Sequence, residues 1–344
     1  MISQTESERL LAYHPFDEDV LATVEEVAER HRSMDFSEVN ATLPANEDFE
    51  SKGNLPIKVL DTGLRDDTEK TLVYHMAMGS PLDENERTRL AVLHAALPTT
   101  RIISAGAPGA PGERSGRLTL KQFPDVFRGD LRATVDPLLR YVNYMGVETV
   151  THAGYSYGAD KAPTAAEYSD KYDQSVEQVI AMDPASVLDR KLLGFKSLGI
   201  FKLGLDFNSA EPAMQGYVDA SDSKALIEAR AQGDARHHGL LGYSVGLLRT
   251  SNIAAAKALS KGGFAGRMTK ALIENPEMRA DSIWGSLSEL SLNGLMIAIV
   301  ANLEEQFGPD RVTGTIMEGQ KHTMCDDIFL HTAMVLQALK KNTK

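Results

Sequence analysis

At 344 residues the chain is longer than a single domain of about 100–150 residues, so it holds two units or one large α/β unit with an insertion. Apolar residues at 42% and charged residues at 24% exclude wholesale disorder, and a single cysteine, Cys325, excludes internal disulfides and Cys-rich zinc sites. A formal net charge of −12 has the wrong sign for a general nucleic-acid or anionic-membrane binder.

That charge is concentrated at the start. Residues 1–50 carry 13 acidic and 3 basic side chains, a net of −10, which leaves about −2 for the rest. Leu10, Leu11, Val20, Leu21, Val24 and Val27 recur there at helical spacing, so residues 1–54 read as an acidic helical extension of one or two amphipathic helices. The first residues lack the basic start and apolar stretch of a secretory signal, and no apolar run approaches the ~20 residues of a membrane span. A soluble, cytoplasmic protein is expected.

From about residue 55 short apolar runs alternate with longer helical stretches. Strands are predicted at 57–60, 71–76, 100–104, 148–152, 179–182, 295–301 and 312–317, with helices at 85–96, 127–145 and 329–339. That rhythm gives a mostly parallel sheet covered by helices on both faces. Residues 188–290 break it: they are helical in pattern and show no strand. They are read as a cap inserted between two strands of one sheet, which assigns the α/β core to 55–187 and 291–344.

The chemistry concentrates in Gly154-Tyr155-Ser156-Tyr157-Gly158, where an apolar strand runs directly into a helix whose first residues are small. A serine at the tip of so tight a turn has a strained backbone, and glycines two positions away on each side let neighbouring chain pass closely. The helix N-terminus is aimed at whatever bonds to the hydroxyl. Gly242-Tyr243-Ser244-Val245-Gly246 has the same spacing but no strand before it. It reads as a glycine-rich cap segment, and the nearby His237 and His238 as surface histidines of the cap rather than a metal pair.

With these landmarks in order, the chain resembles the α/β-hydrolase superfamily over roughly residues 55–188 and 292–340. The stretch Tyr74-His75-Met76-Ala77 looks like the family's strand ending in His-Gly, with Met76 where glycine is common. Residues 102–115 resemble the next strand and its Pro-Gly loop, without the usual aspartate. The resemblance implies a Ser156 nucleophile and a His322 base, on the loop after strand 312–317. It also implies an oxyanion hole of backbone N–H groups from Tyr157 and from Met76 or Ala77. The acid should follow strand 295–301, where Glu304 fills the place; Asp183, Glu305 and Asp310 are the alternatives. His75 and Tyr155 are candidates to line the pocket, and Tyr157 flanks it from the other side.

The expected function is cofactor-independent and metal-free hydrolysis of an ester-type acyl bond in an apolar small molecule, through an acyl-enzyme. A non-catalytic binding or assembly protein on the same fold is the competing reading. The departures at Met76, in the 102–115 loop and at the acid position motivate it. The acidic extension is the expected contact for a protein partner or a second copy. A dinucleotide site is excluded, because the glycine-rich segment 106–116 carries prolines and Arg114 where a G-x-G-x-x-G helix should start.

Overall fold

Parallel strands deliver their C-terminal ends to one edge of a sheet, and the arrangement of this chain follows from that. A computed structural model describes residues 6–32, 36–50, 56–64, 70–78, 84–106, 118–189 and 250–340, with single residues 34, 68, 80 and 82. Strands β1 (Glu47–Phe49), β2 (Ile57–Asp61), β3 (Lys70–His75), β4 (Thr100–Ala105), β5 (Thr149–Tyr155), β6 (Ser175–Met182), β7 (Arg279–Gly285) and β8 (Val312–Met317) form one sheet. Their order is β1-β2-β4-β3-β5-β6-β7-β8. Only β2 pairs antiparallel, with β1 and β4; β3 to β8 run parallel. The register aligns His75 with Gly154, Tyr155 with Met182, Met182 with Ile283 and Gly285 with Met317. These five strands therefore end within about two residues of one another, the crevice position where open α/β sheets place their sites.

Helices cover both faces. Alternation along each strand sends successive side chains to opposite sides, so Leu72 and Tyr74 join one core while Val73 joins the other. The first core is closed by α1 (Glu6–Leu11), α2 (Glu18–Arg32), α3 (Phe36–Ala41), α4 (Glu84–Ala96) and α11 (Ile328–Lys340). The second is closed by α6 (Arg132–Tyr144), α7 (Tyr157–Tyr168), α9 (Phe264–Glu274) and α10 (Asn293–Phe307). A smaller cluster beyond the strand ends joins α5 (Phe123–Arg128) and α8 (Thr250–Leu259) to Tyr157, Ala185 and Leu290.

The expected mostly parallel, helix-covered sheet is present. Three details differ. The stretch predicted as a strand at 295–301 is the middle of α10: Met296, Val300 and Leu303 recur every three or four residues and are buried, while Ile297 is about half exposed. The strand at this point of the sheet is β7, inside the segment assigned to the cap, so the sheet resumes at Arg279 rather than at 291. No apolar run marked it, because Asp281 and Ser282 interrupt it. Asp281 is buried only because Gln178 Nε2 donates to it at 2.6 Å and Thr313 Oγ1 donates to its other oxygen. The single helix predicted at 127–145 is two, broken at Gly129, whose φ of 106° ends α5 in a left-handed cap. Residues 190–249 of the expected cap, with Ser244, His237 and His238, lie outside the described residues, as does the 107–117 loop.

The N-terminal segment is part of the body of the fold. Leu10, Val20, Leu21, Val24 and Val27 are buried in the first core, as their spacing predicted, though Leu11 is exposed. α2 packs on α4 and α11, and β1 extends the sheet. Tyr13 C=O accepts the Glu318 N–H at 2.9 Å, and Gln337 Oε1 accepts the Asp17 N–H at 2.9 Å. Fully burying one valine or leucine side chain is worth about 1.5–3 kcal/mol, so this apolar stripe rather than the surface charge fixes the segment in place. Among the described residues, no helix is long and apolar enough to cross a membrane.

Candidate active site

β5 is buried from Val150 onward and ends abruptly at Ser156, the residue before α7. Ser156 has φ 57° and ψ −119°, a left-handed backbone that costs a non-glycine residue about 1–3 kcal/mol and persists only where its surroundings hold it. They do so on both sides. Ser156 N–H donates to Met182 C=O at 2.9 Å, and Ser156 C=O accepts the Ala159 N–H at 3.0 Å. The two glycines of the motif have a steric cause: a Cβ on Gly154 would stand 2.3 Å from the Gly158 carbonyl oxygen, and one on Gly158 would stand 1.9 Å from the His75 carbonyl oxygen. The second contact brings the end of β3, and with it the Met76–Ala77 backbone, against the turn. The first N–H groups of α7, Tyr157 among them, have no carbonyl within the helix to serve. Ser156 is half-buried.

His322 arrives from the far end of the chain. It opens a short 3-10 turn, His322–Asp326, after β8 and the 318–321 loop. Gly319 N–H donates to Ser286 Oγ at 2.8 Å, and Leu287 N–H donates to Gln320 C=O at 2.9 Å, so the β7 and β8 loops hold each other. Arg89 on α4 is buried beneath the turn, 3.6 Å from Asp326 and 3.2 Å from Glu86. The imidazole is nearly buried, with Nε2 2.9 Å from Ser156 Oγ and Nδ1 in contact with Asp183 Oδ2.

Asp183 follows β6 and turns the chain with φ 47°. Its own N–H donates to Ile283 C=O at 2.7 Å. The fully buried carboxylate accepts the Gly285 N–H at Oδ1 (3.2 Å) and the Ser288 hydroxyl at Oδ2 (2.7 Å), the oxygen that His322 also reaches. Three donors around one carboxylate satisfy its buried oxygens. A carboxylate acceptor at Nδ1 orients the imidazole with its proton there and leaves the Nε2 lone pair for the Ser156 hydroxyl.

The Glu304 expectation is corrected by this geometry. Glu304 and Glu305 lie on the C-terminal half of α10, one half-buried and the other exposed, and the carboxylate on His322 is Asp183. The error descends from reading 295–301 as a strand, which moved the acid one strand too far along the sheet. Asp310 is exposed beyond the end of α10. The Ser288 contact was invisible for the same reason, since it follows the unrecognised β7.

His75 and Tyr155, expected at the pocket, are both buried among protein groups. Tyr155 lies against His322. His75 Nε2 is 3.2 Å from His152 Nδ1, and His152 Nε2 is 3.0 Å from Ser169 Oγ, whose hydroxyl donates to Ala165 C=O at 2.9 Å. This second Ser–His pair differs from the first in what it can do. Ser169 is fully buried with its proton already committed, and the far nitrogen of His152 meets a histidine instead of a carboxylate. Burial alone pushes the His152 pKa down to about 3. Burial also lowers that of His75, with the neighbouring His152 and Lys161 acting in the same direction, so both rings are neutral. No cluster of three or more His, Cys, Asp or Glu side chains placed to hold a metal ion occurs among the described residues.

No protein-family model and no curated protein matches the chain by sequence. Solved structures match it by shape. MGS-M2, an α/β-hydrolase enzyme from a Medee basin deep-sea metagenome library, is 14% identical at a TM-score of 0.56, over 86% of this chain and 97% of that one. A thermophilic esterase from Thermogutta terrifontis is 13% identical at a TM-score of 0.52, over 88% and 100%. A bromoperoxidase from Bacillus anthracis is 17% identical at a TM-score of 0.51, over 86% and 100%. Shared shape over nearly the whole of those chains leads to one conclusion: this chain has the α/β-hydrolase fold.

Proposed function

We propose that the protein is a serine hydrolase that cleaves an ester-type acyl bond through Ser156, His322 and Asp183. The observation that carries the reading is a single line of contacts. Ser156 Oγ lies 2.9 Å from His322 Nε2, whose ring reaches buried Asp183 through Nδ1, and Ser156 sits at the strained turn that heads α7. Esterases and hydrolases among the structural neighbours agree with it.

Ser156 Oγ attacks the acyl carbon as its proton passes to His322 Nε2. The imidazolium so formed is held by Asp183, which keeps its negative charge. Charge developing on the carbonyl oxygen meets the backbone N–H groups of Tyr157 and of Met76 or Ala77 at the positive end of α7. His322 returns the proton to the leaving oxygen, and the alcohol departs. Water then attacks the acyl-enzyme with His322 as base, releasing the acid and restoring the Ser156 hydroxyl.

Two features that favoured a non-catalytic role have lost their force. A carboxylate does stand on the histidine, and the acidic extension is packed into the fold. The test is Ser156→Ala with p-nitrophenyl esters of graded chain length, together with fluorophosphonate labelling. Loss of turnover and of the label in a folded variant is expected. Unchanged hydrolysis would end the proposal.

A further inference from the structure

Asp160 is fully buried on α7, one helical turn beyond Ser156, and the reaction outlined above gives it no part. A carboxylate taken wholly out of water is costly unless donors surround it. Four donors do. The N–H groups of Ala185 and Ser186 reach Oδ2 at 3.1 Å each, Arg267 Nη2 reaches Oδ1 at 2.6 Å, and the Ser186 hydroxyl reaches Oδ1 as well. Arg267 comes from α9 and also contacts the Ser186 hydroxyl, while Ser186 C=O accepts the Phe264 N–H at the start of that helix at 3.2 Å.

The donors identify what is being held. Ala185 and Ser186 lie two and three residues after Asp183, beyond the end of β6, where the sheet ladder no longer fixes the chain. Asp183 itself turns through a left-handed conformation that few residues adopt. One carboxylate thus ties the helix headed by the serine to the segment that carries the acid. We propose that Asp160 is a positioning residue: it sets the place of Asp183 relative to Ser156, so that His322 can reach both. The proposal rests on the Ser156–His322–Asp183 reading. Asparagine cannot substitute for the carboxylate, because its NH₂ group would face either the two backbone N–H groups or Ser186 and Arg267.

The test is a double-mutant cycle on p-nitrophenyl acetate hydrolysis by the full chain, with Asp160→Asn, Asp183→Asn and the pair, and a thermal melt of each. A misplacement on the order of 1 Å can cost about a hundredfold in rate, so Asp160→Asn is expected to lower kcat by about 10–100-fold with KM changed less than about threefold. In the Asp183→Asn background the same change should cost less than about threefold, because the group it positions is already disabled. Ser186→Ala, which removes one donor and leaves the charge paired, should lower kcat in the same direction by a smaller factor. It carries the same cycle if Asp160→Asn does not fold. Equal losses in both backgrounds, following the melting temperature, would show a merely structural residue and overturn the proposal. Wild-type kcat in Asp160→Asn would overturn it too. Should Asp183→Asn keep wild-type kcat while Ser156→Ala is dead, the acid assignment itself fails and this proposal falls with it.

Discussion

Tyr155 stacks on the imidazole of His322, with ring centroids 5.2 Å apart and planes inclined by 30°, and its hydroxyl donates to the His322 backbone carbonyl at 2.5 Å. The residue before the serine therefore grips the histidine by both its ring and its main chain. Burial raises the phenol pKa well above its ordinary value, so the hydroxyl remains a donor across the working pH range. Phenylalanine would keep the stacking and leave a buried carbonyl unserved, a loss of about 1–3 kcal/mol in the holding of that turn. Tyr155→Phe is expected to lower kcat about 5–20-fold with little change in KM, read from steady-state ester hydrolysis.

The two acid positions make opposite predictions. Without a carboxylate on Nδ1 the histidine adopts the wrong tautomer, which in comparable triads costs roughly 10⁴ in kcat. Asp183→Asn should show a loss on the order of 10³–10⁴-fold, and Glu304→Gln should stay within about twofold of the parent. Parallel kcat measurements on the two variants decide between them; a large loss in Glu304→Gln with an active Asp183→Asn would reverse the assignment.

Most of this was legible in the sequence, and the exceptions share a cause. The turn at Ser156 shows because sterics demand glycine at 154 and 158. Strands β3, β4, β5 and β6 show because, buried over most of their length, they carry short β-branched and apolar runs bounded by helical stretches. β7 hides because Asp281 and Ser282 interrupt its apolar run, Asp281 being buried against Gln178 and Thr313 of the neighbouring strands, and α10 misleads because its isoleucines and valine mimic a strand. Whether Met296 and Val300 are helix neighbours or strand neighbours depends on which other elements supply the opposing surface. The local sequence does not contain that information. Likewise, the charge of residues 1–50 suggested a surface for partners, but what fixes the segment is its apolar stripe on α4 and α11.

Gly158 offers a stability test independent of any substrate. A methyl group there would overlap the His75 carbonyl oxygen at 1.9 Å, with backbone on both sides and no side chain free to yield. Overpacking typically costs about 1–3 kcal/mol, and a backbone clash belongs at or beyond the upper end. With an unfolding entropy of about 2.1 cal/mol/K per residue, a chain of 344 residues loses about 1.4 °C per kcal/mol, so Gly158→Ala should melt about 4 °C or more below the parent in a calorimetric scan. Gly266→Ala, in α9 where a Cβ meets nothing within 4 Å, should melt at or slightly above the parent temperature.

The buried histidines set the acid limit of the fold. His152 is neutral in the folded protein down to about pH 3, whereas in the unfolded chain it takes up a proton near its ordinary pKa of 6.5. Between those two values the unfolded state binds more protons, so stability is complete above about pH 6.5 and falls as pH drops toward 3. The slope from one such group reaches about 1.4 kcal/mol per pH unit, and His75 and His331, also lowered by burial, act in the same direction. His152→Gln leaves an amide in place of the ring and removes one proton from this uptake. It is expected to lower stability at pH 7, through the lost contacts to His75 and Ser169, and to flatten the decline between pH 6.5 and 3. Urea unfolding at several pH values measures both effects, and a parent whose stability does not change across that interval would contradict the assignment of neutral, buried rings.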